Sequence, residues 1–229
     1  IITALGMAIV ESGEISVLAM TGGTYHMINH AIFKGLLFLT AGAILYTTGT
    51  TDLESISGLG KRMPFTLAMF LFGAAGISGI PPFNGFASKW MIYEAGFTGS
   101  LGIVSIIAVV VSALTLASFI KVGHSAFFGP INEEHKNIED VPTSMKIPMG
   151  VLALGTVIFG LFPEVIVNKI LLPVIKSVYD LSRYVSSALG NTYDSVFAFD
   201  GINNVEFLTK GIYNPTNFLI LFVILLLAV

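Results

Sequence analysis

Long apolar runs separated by short polar interruptions dominate this chain. Residues 24–47, 101–128 and 147–162 are apolar enough, and close enough to the ~20 residues that a bilayer demands, to read as membrane-crossing helices. Residues 65–97 are too long for one straight crossing. Gly79, Pro81 and Pro82 interrupt them, and a helix-interior proline removes a backbone donor and clashes with the preceding turn. The pattern therefore predicts a discontinuous helix, 65–78 followed by 85–95. Broken backbone at membrane depth is tolerated only where it is buried in protein or lines a cavity, and broken helices recur at transporter sites. Pro64 fits the first turn of the first half.

The remaining segments are less uniform. Residues 1–20 are mostly apolar but carry Glu11 and Glu14, which predicts a short helix with a polar loop in its middle, or the tail of a helix begun upstream. Residues 49–62 and 129–146 form polar loops. Residues 163–214 mix Lys169, Lys176, Asp180 and Arg183 with Leu172, Ile175, Val178, Leu181 and Val185 at helical spacing, the pattern of an amphipathic helix at the membrane interface. From Phe218 onward a last apolar run begins. A first residue other than Met and a final apolar run too short to span lead to the expectation of a fragment of a longer protein, or of the ordered part of one. The loops 49–63 and 129–146 carry four basic residues, as does the segment 163–215. Weighting towards short loops favours the first pair as cytoplasmic.

Composition agrees with this reading. Of 229 residues, 54% are hydrophobic and only 11% charged, against about 25% charged in soluble domains. Mean hydropathy is +0.85. A net charge of −3 without a basic block gives no footprint for nucleic acid. With no cysteine, disulfides, iron–sulfur clusters and thiolate metal sites are excluded within the chain. No cofactor is expected here, and any redox centre belongs to a partner.

Ionisable groups inside apolar runs change the picture most. A charge in the bilayer core costs at least ~3 kcal/mol on insertion scales, so such groups usually face a bundle interior and mark an ion or proton path. His26, His30 and Lys34 recur at four-residue spacing, which stacks them on one helix face as a polar ladder about 12 Å long. Imidazole takes a proton on one nitrogen and releases it from the other. A lysine in apolar surroundings can exist as the neutral amine, and so store and release a proton. His26, as the outermost of the three, is equally readable as a structural interfacial residue. Zinc would need a third and usually a fourth ligand, and no Glu or Cys lies adjacent. Lys89 follows the helix break, with Gly85 between, and joins the set. Lys121 and His124, near the end of residues 101–128, are further pathway candidates, readable also as snorkelling side chains.

The stretch Tyr25-His26-Met27-Ile28-Asn29-His30-Ala31-Ile32-Phe33-Lys34-Gly35-Leu36-Leu37-Phe38-Leu39 resembles the signature of the antiporter-like membrane subunits of respiratory complex I, a family shared with Mrp-type sodium/proton antiporters and energy-converting membrane hydrogenase complexes. Leu59-Gly60-Lys61-Arg62-Met63-Pro64, residues 80–89 and Ser125-Ala126-Phe127-Phe128-Gly129 follow in the family's order, so the resemblance covers about residues 1–165. It implies two inverted five-helix repeats, each a half-channel with a central lysine and a broken helix, of which this chain matches the second. His26, His30 and Lys34 fall on the central relay. Lys89 falls on the ionisable residue of the broken helix, lysine in some members and glutamate in others. The first repeat, with its glutamate–lysine pair, has no counterpart in this chain, and a neighbouring subunit would have to supply it if the chain is naturally short.

These readings converge on an all-α polytopic transmembrane bundle with one discontinuous helix and an interfacial amphipathic segment: residues 1–162 as the half-channel bundle, 163–214 as the interfacial segment and 215–229 as the start of a further crossing. The expected function is proton translocation in a redox-driven complex, with other membrane subunits, redox subunits and the lipid bilayer as partners. The expected location is a prokaryotic cell membrane or an organelle inner membrane. The alternatives are sodium/proton exchange in an Mrp-type assembly and a non-transporting scaffold. The intact set of His26, His30, Lys34 and Lys89 argues against the scaffold.

Overall fold

The computed structural model describes residues 1–179. A short helix α1 (Ile2–Val10) is followed by α2 (Gly13–Thr48), α3 (Pro64–Ser78), α4 (Asn84–Thr98), α5 (Gly102–Phe127) and α6 (Thr143–Leu161). A further helical stretch then runs Pro163–Ile166, widens into a π-helical turn over Val167–Leu171, and continues as α7 (Leu172–Tyr179). Single-turn 3₁₀ segments at Leu59–Lys61 and Glu133–His135 punctuate the two polar loops. Among the described residues, three helices, α2, α5 and α6, are long and apolar enough to cross a membrane, and α3 is a shorter apolar helix. The protein is an all-α polytopic membrane bundle.

The predicted second crossing begins earlier than the hydrophobic pattern indicated. α2 starts at Gly13 and has 36 residues, about 54 Å of continuous helix. Glu14 does not mark a loop inside a span, because it sits in the first turn of α2, where the helix dipole favours a carboxylate. The chain breaks one step earlier, at Glu11 and Ser12. Consequently His26 is an interior residue of a long helix and not an end residue. The Glu11 carboxylate accepts hydrogen bonds from the Ser100 N–H (2.7 Å) and hydroxyl (2.6 Å), fastening the α1–α2 turn to the α4–α5 turn. Those two bonds hold the Glu11 carboxyl below the usual carboxylate range.

α2 is the central post, packing against α1, α3, α4 and α6. One core cluster joins its first half to α1, α4 and the 163–179 stretch through Val17, Leu18, Tyr25, Met91 and Leu171. A second joins its other half to α3, α5, α6 and the polar loops through Leu36, Ile44, Leu59, Phe70, Phe127 and Met149. Within the predicted interfacial segment, Leu172 and Ile175 are buried against the bundle while Val178 is 55% exposed. Leu181 and Val185, and the run from Phe218, lie outside the described residues.

The polar loops interlock at the far end of α2. Ser57 donates to the Pro130 carbonyl (2.6 Å), and Asn132 to that of Ser55 (3.1 Å). Asp140 then caps α3 from outside. One carboxylate oxygen accepts from the Phe65 and Thr66 amides (2.9 and 3.3 Å), and the other from the Thr66 hydroxyl (2.7 Å) and the Val141 amide (2.8 Å). Replacing such a cap by alanine costs about 1–2 kcal/mol. Asp140→Ala is therefore expected to speed hydrogen exchange at the Phe65 and Thr66 amides about tenfold. Unchanged protection there would show that the loop is held by its other contacts.

Candidate functional site

The break between α3 and α4 falls where Gly79 and the prolines put it. Gly79 takes the left-handed conformation (φ 79°) that closes α3, its N–H reaching the Ala75 and Gly76 carbonyls, while the Ile80 N–H reaches back to the Ala75 carbonyl. Pro81 and Pro82 occupy the gap, and helix resumes at Asn84, one residue before the expected restart at Gly85. Small residues let the backbones meet. A Cβ on Gly85 would lie 1.8 Å from the Gly76 carbonyl oxygen, and one on Gly160 of α6 would lie 2.0 Å from the Pro82 carbonyl oxygen. Tyr25 of α2 donates its hydroxyl to the Phe159 carbonyl, drawing α6 against the same region.

Polar side chains of α2 meet α4 just past this break. Asn29, fully buried, donates to the Asn84 carbonyl (3.0 Å) and accepts from the Asn84 side chain (3.2 Å). His26 Nδ1 pairs with the buried Ser88 hydroxyl at 2.9 Å. The Ser88 hydroxyl also lies 3.3 Å from the Asn84 and Gly85 carbonyls. The His26 and His30 rings stand 6.2 Å apart, and Phe33 packs against both. Thus the helical spacing brings His26 and His30 together as expected, and His26 touches the residue directly before Lys89.

Lys89 faces the other side of α4. Its ammonium donates to the Ile77 carbonyl (2.9 Å), the Ser78 carbonyl (3.3 Å) and the Ser112 hydroxyl (3.0 Å). Two of these are end carbonyls of α3 with no partner inside the helix, where a cation also meets the negative end of the helix dipole. One lysine of the second half-helix thereby ties down the open end of the first. An ammonium has three donors, and all three are used.

Lys34 is half-buried in this chain, and its Nζ lies 5.0 Å from the centre of the Phe38 ring. Lys121 and His124 are exposed near the end of α5. His124 stacks on Phe128 and lines an apolar hollow of about 740 Å³ between α3 and α5. Neither is brought to Lys89, whose partner on α5 is Ser112. Two buried polar atoms beside the break, Ser78 Oγ and Asn84 Oδ1, have no hydrogen-bond partner among the described residues. Sequence reasoning passed over Asn29, Asn84, Ser88 and Ser112. Their common signal is a small polar side chain within or beside an apolar span.

Residues 2–115 match the family model described as NADH:quinone oxidoreductase/Mrp antiporter, transmembrane. The chain belongs to this family. Its relatives include the Na(+)/H(+) antiporter subunit A1 of Staphylococcus aureus (strain Newman), 36% identical over an aligned length of 180 residues, with 73% of this chain and 22% of that protein covered. The chain thus spans about a fifth of the length of the curated relatives it matches. Among solved structures, the membrane-bound sulfane sulfur reductase, an archaeal respiratory membrane complex, contains a subunit 30% identical with a TM-score of 0.62, covering 82% of this chain and 34% of that one. The Mrp complex from Dietzia sp. DQ12-45-1b (24% identity, TM-score 0.68, 76% of this chain and 40% of that one) and respiratory complex I from Thermus thermophilus (22%, 0.56, 65% and 31%) share the fold. These three structural neighbours are subunits of multi-subunit membrane complexes.

Proposed function

We propose that this chain forms a proton half-channel in a redox-driven, multi-subunit membrane complex, with Lys34, His30 and His26 as the relay and Lys89 as the titratable group at the broken helix. The hydrogen bond between His26 and Ser88 carries this reading, because it joins the ladder of α2 to the helix that bears Lys89. The half-open flank at Lys34 suits a surface that a neighbouring repeat completes. In this reading other membrane subunits and redox subunits are the partners, and a prokaryotic cell membrane is the location. Sodium/proton exchange in an Mrp-type assembly is the second reading, favoured by the 36% identity to an antiporter subunit. Iron–sulfur or nickel-bearing partners in the purified complex support the redox-driven pump. Their absence, together with sodium-dependent proton movement, supports the exchanger.

The test of the half-channel is at Lys89. If the side chain exchanges protons, Lys89→Glu retains partial transport in proteoliposomes, since either group can titrate when burial and neighbours permit. Lys89→Leu, which fills the space without a titratable group, abolishes it. Full transport by the leucine variant in an assembled complex would end the assignment.

A further inference from the structure

Resting on the reading of Lys89 as a proton-exchanging group, we propose that Ser112 and Tyr93 form the lane by which its proton reaches water at the α4–α5 turn, rather than at the Lys121 and His124 end of α5. Three contacts carry this. The Lys89 ammonium donates to the Ser112 hydroxyl at 3.0 Å, the Ser112 hydroxyl lies 2.5 Å from the Tyr93 hydroxyl, and the Tyr93 hydroxyl lies 3.4 Å from the Ala108 carbonyl. Ser105, one turn further along the same seam, donates to the Tyr93 carbonyl at 3.2 Å. The three α5 residues, Ser105, Ala108 and Ser112, therefore present one stripe to α4, and the remainder of that helix near them is apolar.

The direction follows from chain geometry. α4 runs from the break to the turn at residues 98–101, and Tyr93 is one helical turn beyond Lys89. Tyr93 stands about 8 Å of helix axis from the end of α4 at Thr98. Lys121 is nine residues past Ser112 on a helix that runs the other way, about 14 Å towards the opposite end. The hydroxyl contacts step away from it.

The transfer balances without any redox partner. An N–H bond of Lys89 breaks as an O–H bond forms on Ser112. The serine O–H proton passes to the Tyr93 oxygen, and the tyrosine O–H proton passes to water that reaches the half-buried Tyr93 from the side of the turn. Lys89 ends as the neutral amine, both hydroxyls end neutral, and the water ends as hydronium. Serine and tyrosine suit the task because each is donor and acceptor at once.

The test uses the whole complex in proteoliposomes, with proton movement followed by a pH-sensitive dye. Tyr93→Phe removes one oxygen and keeps the ring. It and Ser112→Ala are each expected to slow transport roughly tenfold, the scale of one lost hydrogen bond, while Ser112→Thr, which keeps the hydroxyl, restores most of the rate. A larger solvent deuterium effect in wild type than in Tyr93→Phe would support transfer through the phenol, a signature that altered packing alone would not produce. Wild-type rates in Tyr93→Phe and Ser112→Ala, with Lys89→Leu inactive, would overturn the lane and leave the role of Lys89 standing. Loss of transport in Lys121→Leu with Tyr93→Phe unaffected would also overturn it. Normal transport in Lys89→Leu would remove the reading beneath it.

Discussion

Replacing Lys34 by alanine is expected to lower coupled proton transport by about 10²-fold, the scale of losing a positioned proton-transfer group, in a complex that still assembles. Lys34 stands near the middle of the 36-residue α2, two turns beyond His26 and one beyond His30. Its Nζ lies 5.0 Å from the centre of the Phe38 ring, and among the described residues no hydrogen bond or ion pair holds it, so truncation leaves no buried partner stranded. Lys34→Arg separates two roles. Arginine keeps the charge but does not give up its proton in a protein. A relay lysine predicts that the arginine variant fails almost as badly as alanine. Near-normal transport by Lys34→Arg, measured in vesicles, would mean that the position supplies a fixed charge and that protons travel elsewhere.

The second large effect is expected at Gly85. An alanine there would place its Cβ 1.8 Å from the Gly76 carbonyl oxygen, with Phe33 at 3.5 Å on the other side. A carbonyl belongs to the backbone of α3 and cannot swing away as a side-chain tip does, so α4 must move by more than an ångström. Overpacking of this kind costs about 1–3 kcal/mol. The functional cost is larger, because the same shift pulls Ser88 from His26 and Asn84 from Asn29, and a misplacement near 1 Å is worth about 10²-fold in rate. Gly150→Ala is the comparison: a Cβ there meets nothing within 4 Å. Thermal unfolding and transport should both drop for Gly85→Ala and hold for Gly150→Ala. Equal behaviour of the two would show that the α3–α4 crossing has slack that the geometry lacks.

What the sequence disclosed depended on how local each cause was. The break was legible because Gly79, Pro81 and Pro82 act on their own backbone. The proximity of His26 and His30 was legible because four-residue spacing alone defines a helix face. The start of α2 was not, since Glu14 reads as a polar interruption unless its place in a first helical turn is known. Ser88 and Ser112 were hidden for a different reason. A serine in an apolar helix has no period of its own, and only the neighbouring helix decides whether its hydroxyl meets a carbonyl, an imidazole or an ammonium. Lys121 and His124 drew attention by their charge, but charge says nothing about which residue of the next helix stands at the same height. The family signature pointed to His26, His30 and Lys34 but gave no role to Ser88 or Ser112.

The three full donors of Lys89 have a further consequence. As an ammonium it is bonded to the Ile77 and Ser78 carbonyls and to Ser112. As an amine it keeps two hydrogens for the two carbonyls and presents a lone pair to Ser112, so the serine hydroxyl must turn round and donate. Tyr93, whose oxygen had been accepting that hydrogen, is then free to donate in the opposite sense. The state of one nitrogen thus sets the polarity of the whole hydroxyl pair. A second proton cannot leave by the same route until Lys89 is recharged and both hydroxyls have swung back. The seam between α4 and α5 would then pass one charge per cycle.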